Sequence, residues 1–249
     1  GPAMTVELDR LNQFLRYANT VPDVAHLVPA LHHGPLASID VVATSLLRFV
    51  SPDTLEIVES AGLPPEFLDR YRQIPVTADL TTPQAVRERV IRTSDIGSVP
   101  QHTLGRVDHD EFRTLIFTLK ARSFVGVPVL HRGEPIAALS ISSSQPAAAV
   151  RQHFPLLAAV ASIVSLWLRH PDTHLPPPLA SVPEQSLALS PRQRQVLLLV
   201  GEGATVEQAA VALGFSPSTI KQDLRRAMRA TRTSDRAEAL ERARTFGLL

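Results

Sequence analysis

A stretch near the C-terminus places basic, amide and hydroxyl side chains on one side of a predicted helix. Residues 214–229 read GFSPSTIKQDLRRAMR, and at about 100° per residue the apolar residues gather on the other side. The polar side presents Ser218, Thr219, Lys221, Gln222, Arg225, Arg226 and Arg229. Arginine binds guanine and glutamine binds adenine with paired hydrogen bonds, whereas lysine and hydroxyl groups suit phosphate. The pattern predicts a helix over residues 217–231 that enters the major groove of DNA. The alternative is a solvated basic face.

Asp223 is the only acid in this stretch. Helical spacing predicts that it lies on a flank of the polar side, three residues before Arg226. An ion pair between residues i and i+3 stabilises a helix by about 0.2–0.5 kcal/mol, so we expect Asp223 to hold Arg226. Because acids repel phosphate, Asp223 and Glu207 together predict weak DNA affinity.

The elements that must position this helix have clear boundary signals. Ser190-Pro191-Arg192-Gln193 and Thr205-Val206-Glu207-Gln208 have the pattern of capping boxes. Gly214 is a helix stop, and helices are also expected to begin at Ser216-Pro217 and at Ser234-Asp235. Four short helices with a glycine-containing turn between the second and third predict a helix-turn-helix domain over residues 187–249.

Residues 189–249 resemble the LuxR-type (GerE-like) DNA-binding domain. Its opening motif is matched by Leu189, Ser190 and Arg192, and its recognition-helix motif by Leu213, Ser216, Thr219, Ile220 and Lys221. The chain departs from the family pattern at Gln193, Val206, Glu207, Gln208 and Asp223. In that family, the positions of Val206 and Glu207 lie near the DNA backbone, so the resemblance implies weaker phosphate contact at Glu207. It also implies binding to promoter DNA.

Charge and composition limit the remaining possibilities. Residues 187–249 contain ten basic and six acidic residues, and the rest of the chain contains 15 and 18. This asymmetry favours a polyanionic partner for the C-terminal part. The absence of cysteine excludes disulfides, thiol nucleophiles and cysteine-bound metals, and fits a cytoplasmic location. The longest nearly apolar run, residues 154–168, is shorter than the roughly 20 residues needed to span a bilayer, so no membrane association is expected.

A proline-rich segment, residues 171–186, separates the basic domain from a larger one, because such segments are extended and do not enter helices or sheets. Over residues 5–170, helical spacing predicts helices around 8–15 and 24–31 and a long one from about 147 to 170. Two pairs of strands are predicted, joined at Ser51-Pro52-Asp53 and at His131-Arg132-Gly133-Glu134. This order predicts an α/β/α sandwich on an antiparallel sheet, and an α+β chain as a whole.

The larger domain resembles a GAF domain, most clearly over residues 121–144 and in the helix that follows. The resemblance implies a sensory module whose ligand, where there is one, lies between the sheet and residues 76–122. That segment contains Arg87, Arg89, Arg92, His102, Arg106, His109 and Arg113. They are interpreted either as a pocket lining for an anionic or polar effector or as a solvated cover of the sheet. We expect no cofactor and no metal.

The helix after Pro155 carries two apolar stripes, one containing Leu157 and Val164 and the other Ile163 and Trp167. So wide an apolar surface must be buried on two sides. Either the sheet and the N-terminal helices cover both stripes, or the second stripe meets its copy in a homodimer.

The sequence therefore predicts a cytoplasmic, non-enzymatic bacterial transcription regulator. Its GAF-like domain senses a small effector or a partner and forms a homodimer, and its helix-turn-helix binds double-stranded promoter DNA. The alternatives are a GAF module used only for protein interaction and an enzyme with an accessory DNA-binding tail. For the enzyme, residues 108–111 are interpreted either as a metal or proton-transfer group or as the acidic first turn of a helix. His170 and His174 have the spacing of a helical metal pair, but Pro171 argues against a helix there, and the adjacent His32 and His33 would not converge on a helix.

Overall fold

The computed structural model describes residues 1–65, 68, 72–96, 119–179, 189–231, 233–245 and 247–249. These residues form two compact units. Those up to 177 belong to the first unit, and those from 178 onward belong to the second.

Six strands in the described part of the first unit form one sheet. They are β1 (Val41–Ser51), β2 (Thr54–Ala61), β3 (Gln73–Pro75), β4 (Arg92–Asp95), β5 (Ser123–His131) and β6 (Glu134–Ser143). Their spatial order is β3-β2-β1-β6-β5-β4, and all neighbours are antiparallel. The two predicted hairpins are confirmed as β1–β2 and β5–β6. The β5–β6 turn needs left-handed backbone at both central residues, Arg132 (φ 51°) and Gly133 (φ 80°).

The edge strands β3 and β4 were not predicted. Each has three or four residues, and Arg92-Thr93-Ser94-Asp95 shows no alternation of apolar and polar residues. A short polar strand leaves little local pattern, because its pairing depends on the neighbouring strand already being in place.

Helices cover both faces of the sheet. The first unit contains α1 (Pro2–Ala18), α2 (Val24–His33), a short 3₁₀ helix (Pro35–Ile39), α3 (Thr81–Glu88), α4 (Ala147–Arg151) and α5 (Phe154–Leu168). Helices α1, α2 and α5 form the main core with one face, where Leu31, Leu139 and Leu157 are fully buried. Helix α3 packs on the other face over a smaller cluster that includes Leu47, Leu55 and Val86. The α/β/α sandwich is confirmed.

Helix α3 lies directly against strand β5. A Cβ atom on Gly126 would lie 2.7 Å from the Thr82 Cα, 2.8 Å from the Thr81 carbonyl oxygen and 2.9 Å from the Ala85 Cβ. Only glycine leaves space for this approach, so at Gly126 this sheet face is covered directly by the chain's own helix.

Both stripes of α5 are buried within the first unit. Ile163 is 8% and Trp167 3% exposed, and the Trp167 indole donates a hydrogen bond to the Pro22 carbonyl (2.9 Å). The interpretation that Ile163 and Trp167 meet a second copy is therefore wrong, because the N-terminal helices already cover them. Residues 147–168 are long and apolar enough to cross a membrane by length and composition alone, but Leu157, Val160 and Val164 place this segment in the core.

The beginning of the predicted linker packs on the first unit. Leu175 contacts the main core, and Arg48 donates a hydrogen bond to the Pro176 carbonyl oxygen (2.5 Å). Residues 180–186 of the predicted linker lie outside the described residues.

The second unit contains α6 (Pro191–Gly201), α7 (Val206–Leu213), α8 (Pro217–Ala230) and α9 (Arg236–Thr245). Both predicted capping boxes are confirmed, at Ser190 with Gln193 and at Thr205 with Gln208. Gly214 ends α7 in the left-handed region (φ 72°). The four helices enclose a core in which Leu197, Ile220 and Ala239 are buried.

Candidate nucleic-acid interface

Helix α8 presents almost the whole predicted DNA-binding set to solvent. Ile220, Leu224 and Ala227 are buried on its inner side. The exposed residues are Ser218, Lys221, Gln222, Arg225, Arg226 and Arg229. The outer side therefore combines five long donor side chains, four of them cationic, a composition suited to base edges and phosphates.

Thr219 is the exception within that set. Ser216 caps α8, because its hydroxyl accepts a hydrogen bond from the Thr219 amide (3.2 Å). Thr219 is half-buried as a residue, and its hydroxyl lies 3.0 Å from the same Ser216 oxygen. Thr219 thus helps to form the start of the helix, and its hydroxyl already has a partner there.

Asp223 does not lie on a flank of the polar side of α8, and its predicted pairing with Arg226 is wrong. Its side chain is 2% exposed and turns toward α6, where the Arg192 Nε donates a hydrogen bond to its Oδ2 (2.5 Å). A second guanidinium nitrogen lies 3.4 Å from Oδ1. The carboxylate therefore faces the interior, so this acid lies away from the exposed basic side.

Arg192 joins three parts of the second unit. Its guanidinium lies over the ring of Phe215, 4.8 Å from the ring centroid, in the turn between α7 and α8. The hydrogen bonds and the negative charge of Asp223 raise the pKa of Arg192 above its usual value, so the cation is stabilised. Arg192 belongs to α6 and contacts both Phe215 in the turn and Asp223 on α8.

Another arginine holds the C-terminal end of α8. Arg242 on α9 is 7% exposed, and its guanidinium donates a hydrogen bond to the Thr231 carbonyl oxygen (3.0 Å). Cations near the last carbonyl groups of a helix are favourable because those groups carry partial negative charge. Arg242 was not singled out from the sequence, and neither was Phe215.

The first turn of α7 differs in part from the expectation. Val206 is buried in the core of the second unit, whereas Glu207 is exposed. An acid in the first turn of a helix interacts favourably with the amide groups there. Glu207 remains the exposed acid that the sequence predicts will weaken phosphate contact.

In the first unit, three arginines of the predicted ligand segment bind protein groups. Arg87 donates to the Val76 and Ala78 carbonyl oxygens (2.5 and 2.9 Å), Arg89 pairs with Glu134 (2.8 Å) and Arg92 pairs with Glu88. His102, Arg106, His109 and Arg113 lie outside the described residues.

The clusters considered for an enzyme do not form a metal site in the described structure. Residues 108–111 lie outside the described residues. The His174 Nδ1 lies 2.8 Å from the Asp172 carbonyl oxygen, and the His170 Nδ1 accepts from the Asp172 amide (3.2 Å). Among the described residues, no group of three or more His, Asp or Glu side chains is arranged to hold a metal ion.

Comparison with known proteins gives a different result for each unit. Residues 181–230 match the family described as Sigma-70, region 4, a helix-turn-helix family close to the LuxR type. LuxR-type membership itself remains a prediction. No curated protein matches the chain in sequence.

Solved structures resemble the first unit. The free methionine-R-sulfoxide reductase of Neisseria meningitidis, in complex with its substrate, is 16% identical over 67% of this chain and 90% of that one, with a TM-score of 0.50. The GAF domain of an Acinetobacter phosphoenolpyruvate-protein phosphotransferase is 17% identical over 65% and 92%, with a TM-score of 0.47. The nlh2 GAF domain of A. aeolicus is 11% identical over 67% and 97%, with a TM-score of 0.49.

At these identities the likeness extends to the fold alone, and the first unit is GAF-like. The chain thus joins a unit of GAF-like fold to a unit that matches a Sigma-70 region 4-type helix-turn-helix.

Proposed function

We propose that this protein is a cytoplasmic bacterial transcription regulator that binds promoter DNA through the outer side of α8. The observation that carries the proposal is the separation of the two sides of that helix. The apolar residues and the only acid turn inward, while Lys221, Arg225 and Arg229 point outward together with Gln222. A helix with this distribution, in a helix-turn-helix unit, suits insertion into the major groove.

Removing two outward cations tests the proposal. Lys221→Ala combined with Arg225→Ala should weaken binding to the promoter of the protein's own gene by at least about tenfold, the cost of one base contact. The slope of log affinity against log salt should also fall by roughly one for each phosphate interaction that the substitutions remove. Fluorescence anisotropy over a series of salt concentrations measures both.

The matched control is Arg16→Ala with Arg151→Ala, which removes two exposed cations from the first unit. This control should bind DNA like the wild-type protein if the site is local to α8. Equal losses in the two double variants would show that net charge alone drives binding, and wild-type affinity in the α8 variant would refute the interface.

We also propose a homodimer, formed through a different face from Ile163 and Trp167. Exposed Met4, Leu8 and Leu15 recur along α1, and half-buried Leu11 continues the row. The steps of four, three and four residues match the 3.5-residue period of a seam between helices. Leu166 is 60% exposed on α5, the helix that α1 packs against. A second copy of the same row is the partner that this spacing fits, and two copies would present two recognition helices.

Sedimentation equilibrium tests the dimer. Leu8→Glu combined with Leu15→Glu should convert the dimer to a monomer, because each copy would bury two carboxylates at the seam. Val90→Glu is the control, since Val90 is similarly exposed (48%) but lies outside α1 and α5. A monomeric wild-type protein, or an unchanged dimer in the α1 variant, would overturn this part.

The signal that the first unit senses is proposed as a small effector or a partner protein. The direct packing of α3 on Gly126 favours the partner, because no space for a ligand remains between the helix and the sheet at that point. Native mass spectrometry of the purified protein distinguishes the two. A bound small molecule would support the effector, and a mass that corresponds to protein alone would support the interaction module.

A further inference from the structure

Two arginines from neighbouring helices bind groups of the recognition helix that lie away from its exposed basic side. Arg192 on α6 binds Asp223 on α8, and Arg242 on α9 binds the carbonyl oxygen of Thr231 at the end of α8. The two attachment points are eight residues apart, about 12 Å along a helix at 1.5 Å per residue. Helices α6 and α9 therefore hold α8 at two points along its axis.

The contact with Asp223 fixes an angle as well as a distance. Two guanidinium nitrogens face the two carboxylate oxygens, at 2.5 and 3.4 Å. Such a two-point contact constrains the relative orientation of both planar groups. Asp223 has a 2% exposed side chain, so rotation of α8 about its axis would remove the carboxylate from its partner within the core.

Phe215 connects the same arginine to the turn before α8. The Arg192 guanidinium lies 4.8 Å from the Phe215 ring centroid, a separation at which a cation is attracted to the face of an aromatic ring. The Phe215 amide donates to the Ala210 carbonyl oxygen of α7 (3.0 Å). Arg192 thus contacts both the turn, at Phe215, and the helix that follows it, at Asp223.

We infer that Arg192 and Asp223 form a positioning pair that sets the rotation of α8 and so determines which outward side chains reach base edges. This inference rests on the proposed DNA-binding function. It gives Asp223 a role in sequence discrimination through Arg192, without contact with DNA. Phosphate contacts tolerate small rotations because the backbone is uniform, whereas paired hydrogen bonds to one base do not.

The test compares discrimination with overall affinity. The probes are a duplex that the wild-type protein enriches from a random library and a scrambled duplex of the same composition. Asp223→Asn and Arg192→Gln should each reduce affinity for the enriched duplex about tenfold, in line with the loss of one charge-assisted hydrogen bond. Affinity for the scrambled duplex and the salt slope should stay at wild-type values.

A double-mutant cycle shows whether the two residues act together. If they form one pair, Asp223→Asn combined with Arg192→Gln should discriminate no worse than either single variant. Phe215→Leu, which removes the ring face but no charge, should show a smaller loss of the same kind. Far-UV circular dichroism identifies any variant that fails to fold, and Phe215, 42% exposed, gives a second variant outside the core if Asp223→Asn unfolds.

Three outcomes would overturn the inference alone: additive losses in the double variant, equal losses on both duplexes, or tighter binding of both duplexes by Asp223→Asn. A wild-type protein that binds neither duplex would overturn the proposed function and the inference with it. A fourth such outcome is a loss of discrimination in Arg225→Ala with the pair variants unchanged, because it would support the function and contradict the positioning role.

Discussion

The close approach of α3 to strand β5 gives a quantitative prediction at Gly126. Carbon atoms in contact normally lie about 3.5–4.0 Å apart, whereas a Cβ at this position would lie 2.7 Å from the Thr82 Cα and 2.9 Å from the Ala85 Cβ. The Thr81 carbonyl oxygen would be 2.8 Å away. Because two of these three atoms belong to the backbone, they cannot rotate out of the way. Gly126→Ala must therefore move the helix.

Forcing an extra methyl group into a packed core costs about 1–3 kcal/mol, and three simultaneous overlaps place Gly126→Ala near the middle, at about 2 kcal/mol. For a unit of this size, that loss corresponds to a decrease in melting temperature of roughly 4–8 °C. Trp167 is the chain's only tryptophan and is buried in the first unit, so its fluorescence during urea unfolding reports on that unit.

Ser140→Ala is the control, because Ser140 pairs with Gly126 across the strands and the change adds no atom. We expect its free energy of unfolding to stay within about 0.5 kcal/mol of the wild-type value. If Gly126→Ala unfolds at the wild-type urea concentration, α3 does not press on the sheet. That result would refute the direct packing of α3 at Gly126 and would favour a small-molecule pocket there.

Three further predictions concern single contacts. Trp167→Phe leaves the Pro22 carbonyl without its indole donor and should lower the free energy of unfolding by about 1–2 kcal/mol, measured by circular dichroism. Ser190→Ala breaks the capping box with Gln193 and should destabilise the second unit by about 1 kcal/mol, measured by its thermal transition. Burial, with a smaller contribution from the neighbouring histidine, lowers the pKa of His32. The unfolded chain then binds the proton more readily, so the first unit should lose stability as the pH falls through about 6.5. His32→Gln should make the urea midpoint less dependent on pH between about 7.5 and 5.5.

Each of these has an outcome that contradicts it. A change in the solution mass of Trp167→Phe would indicate that Trp167 lies in the dimer interface after all. Ser218→Ala, in the first turn of α8 but not at a cap, should leave the stability of the second unit nearly unchanged. If it destabilises the unit as much as Ser190→Ala does, the capping box is not the cause of the loss. If the urea midpoint of His32→Gln depends on pH as in the wild-type protein, groups other than His32 cause the loss of stability at low pH.

Local sequence signals predicted the boundaries of the elements well. The capping boxes at Ser190 and Thr205, the stop at Gly214 and the turn at Gly133 appear where the sequence places them. Each depends on groups at most four residues apart, and the geometry of such groups follows from the helix or turn itself. The side of α8 that carries Arg225 and Arg229 was predictable for the same reason.

The sequence did not predict contacts between elements that are distant along the chain. Strands β3 and β4 form only because longer strands lie beside them. The N-terminal helices bury the second stripe of α5, which includes Ile163. The apolar pattern alone allowed this arrangement and a homodimer contact equally.

The sequence by itself determined a basic helix in a helix-turn-helix unit, an α/β/α sandwich and the approximate division between them, because spacing and capping are encoded locally. Only the tertiary structure decided what Asp223 does. Helical spacing offered Arg226, three residues away, but the carboxylate lies on the buried side of α8 and binds Arg192, 31 residues away. A buried charge takes the partner that packing brings to it, because leaving it unpaired in the core is costly.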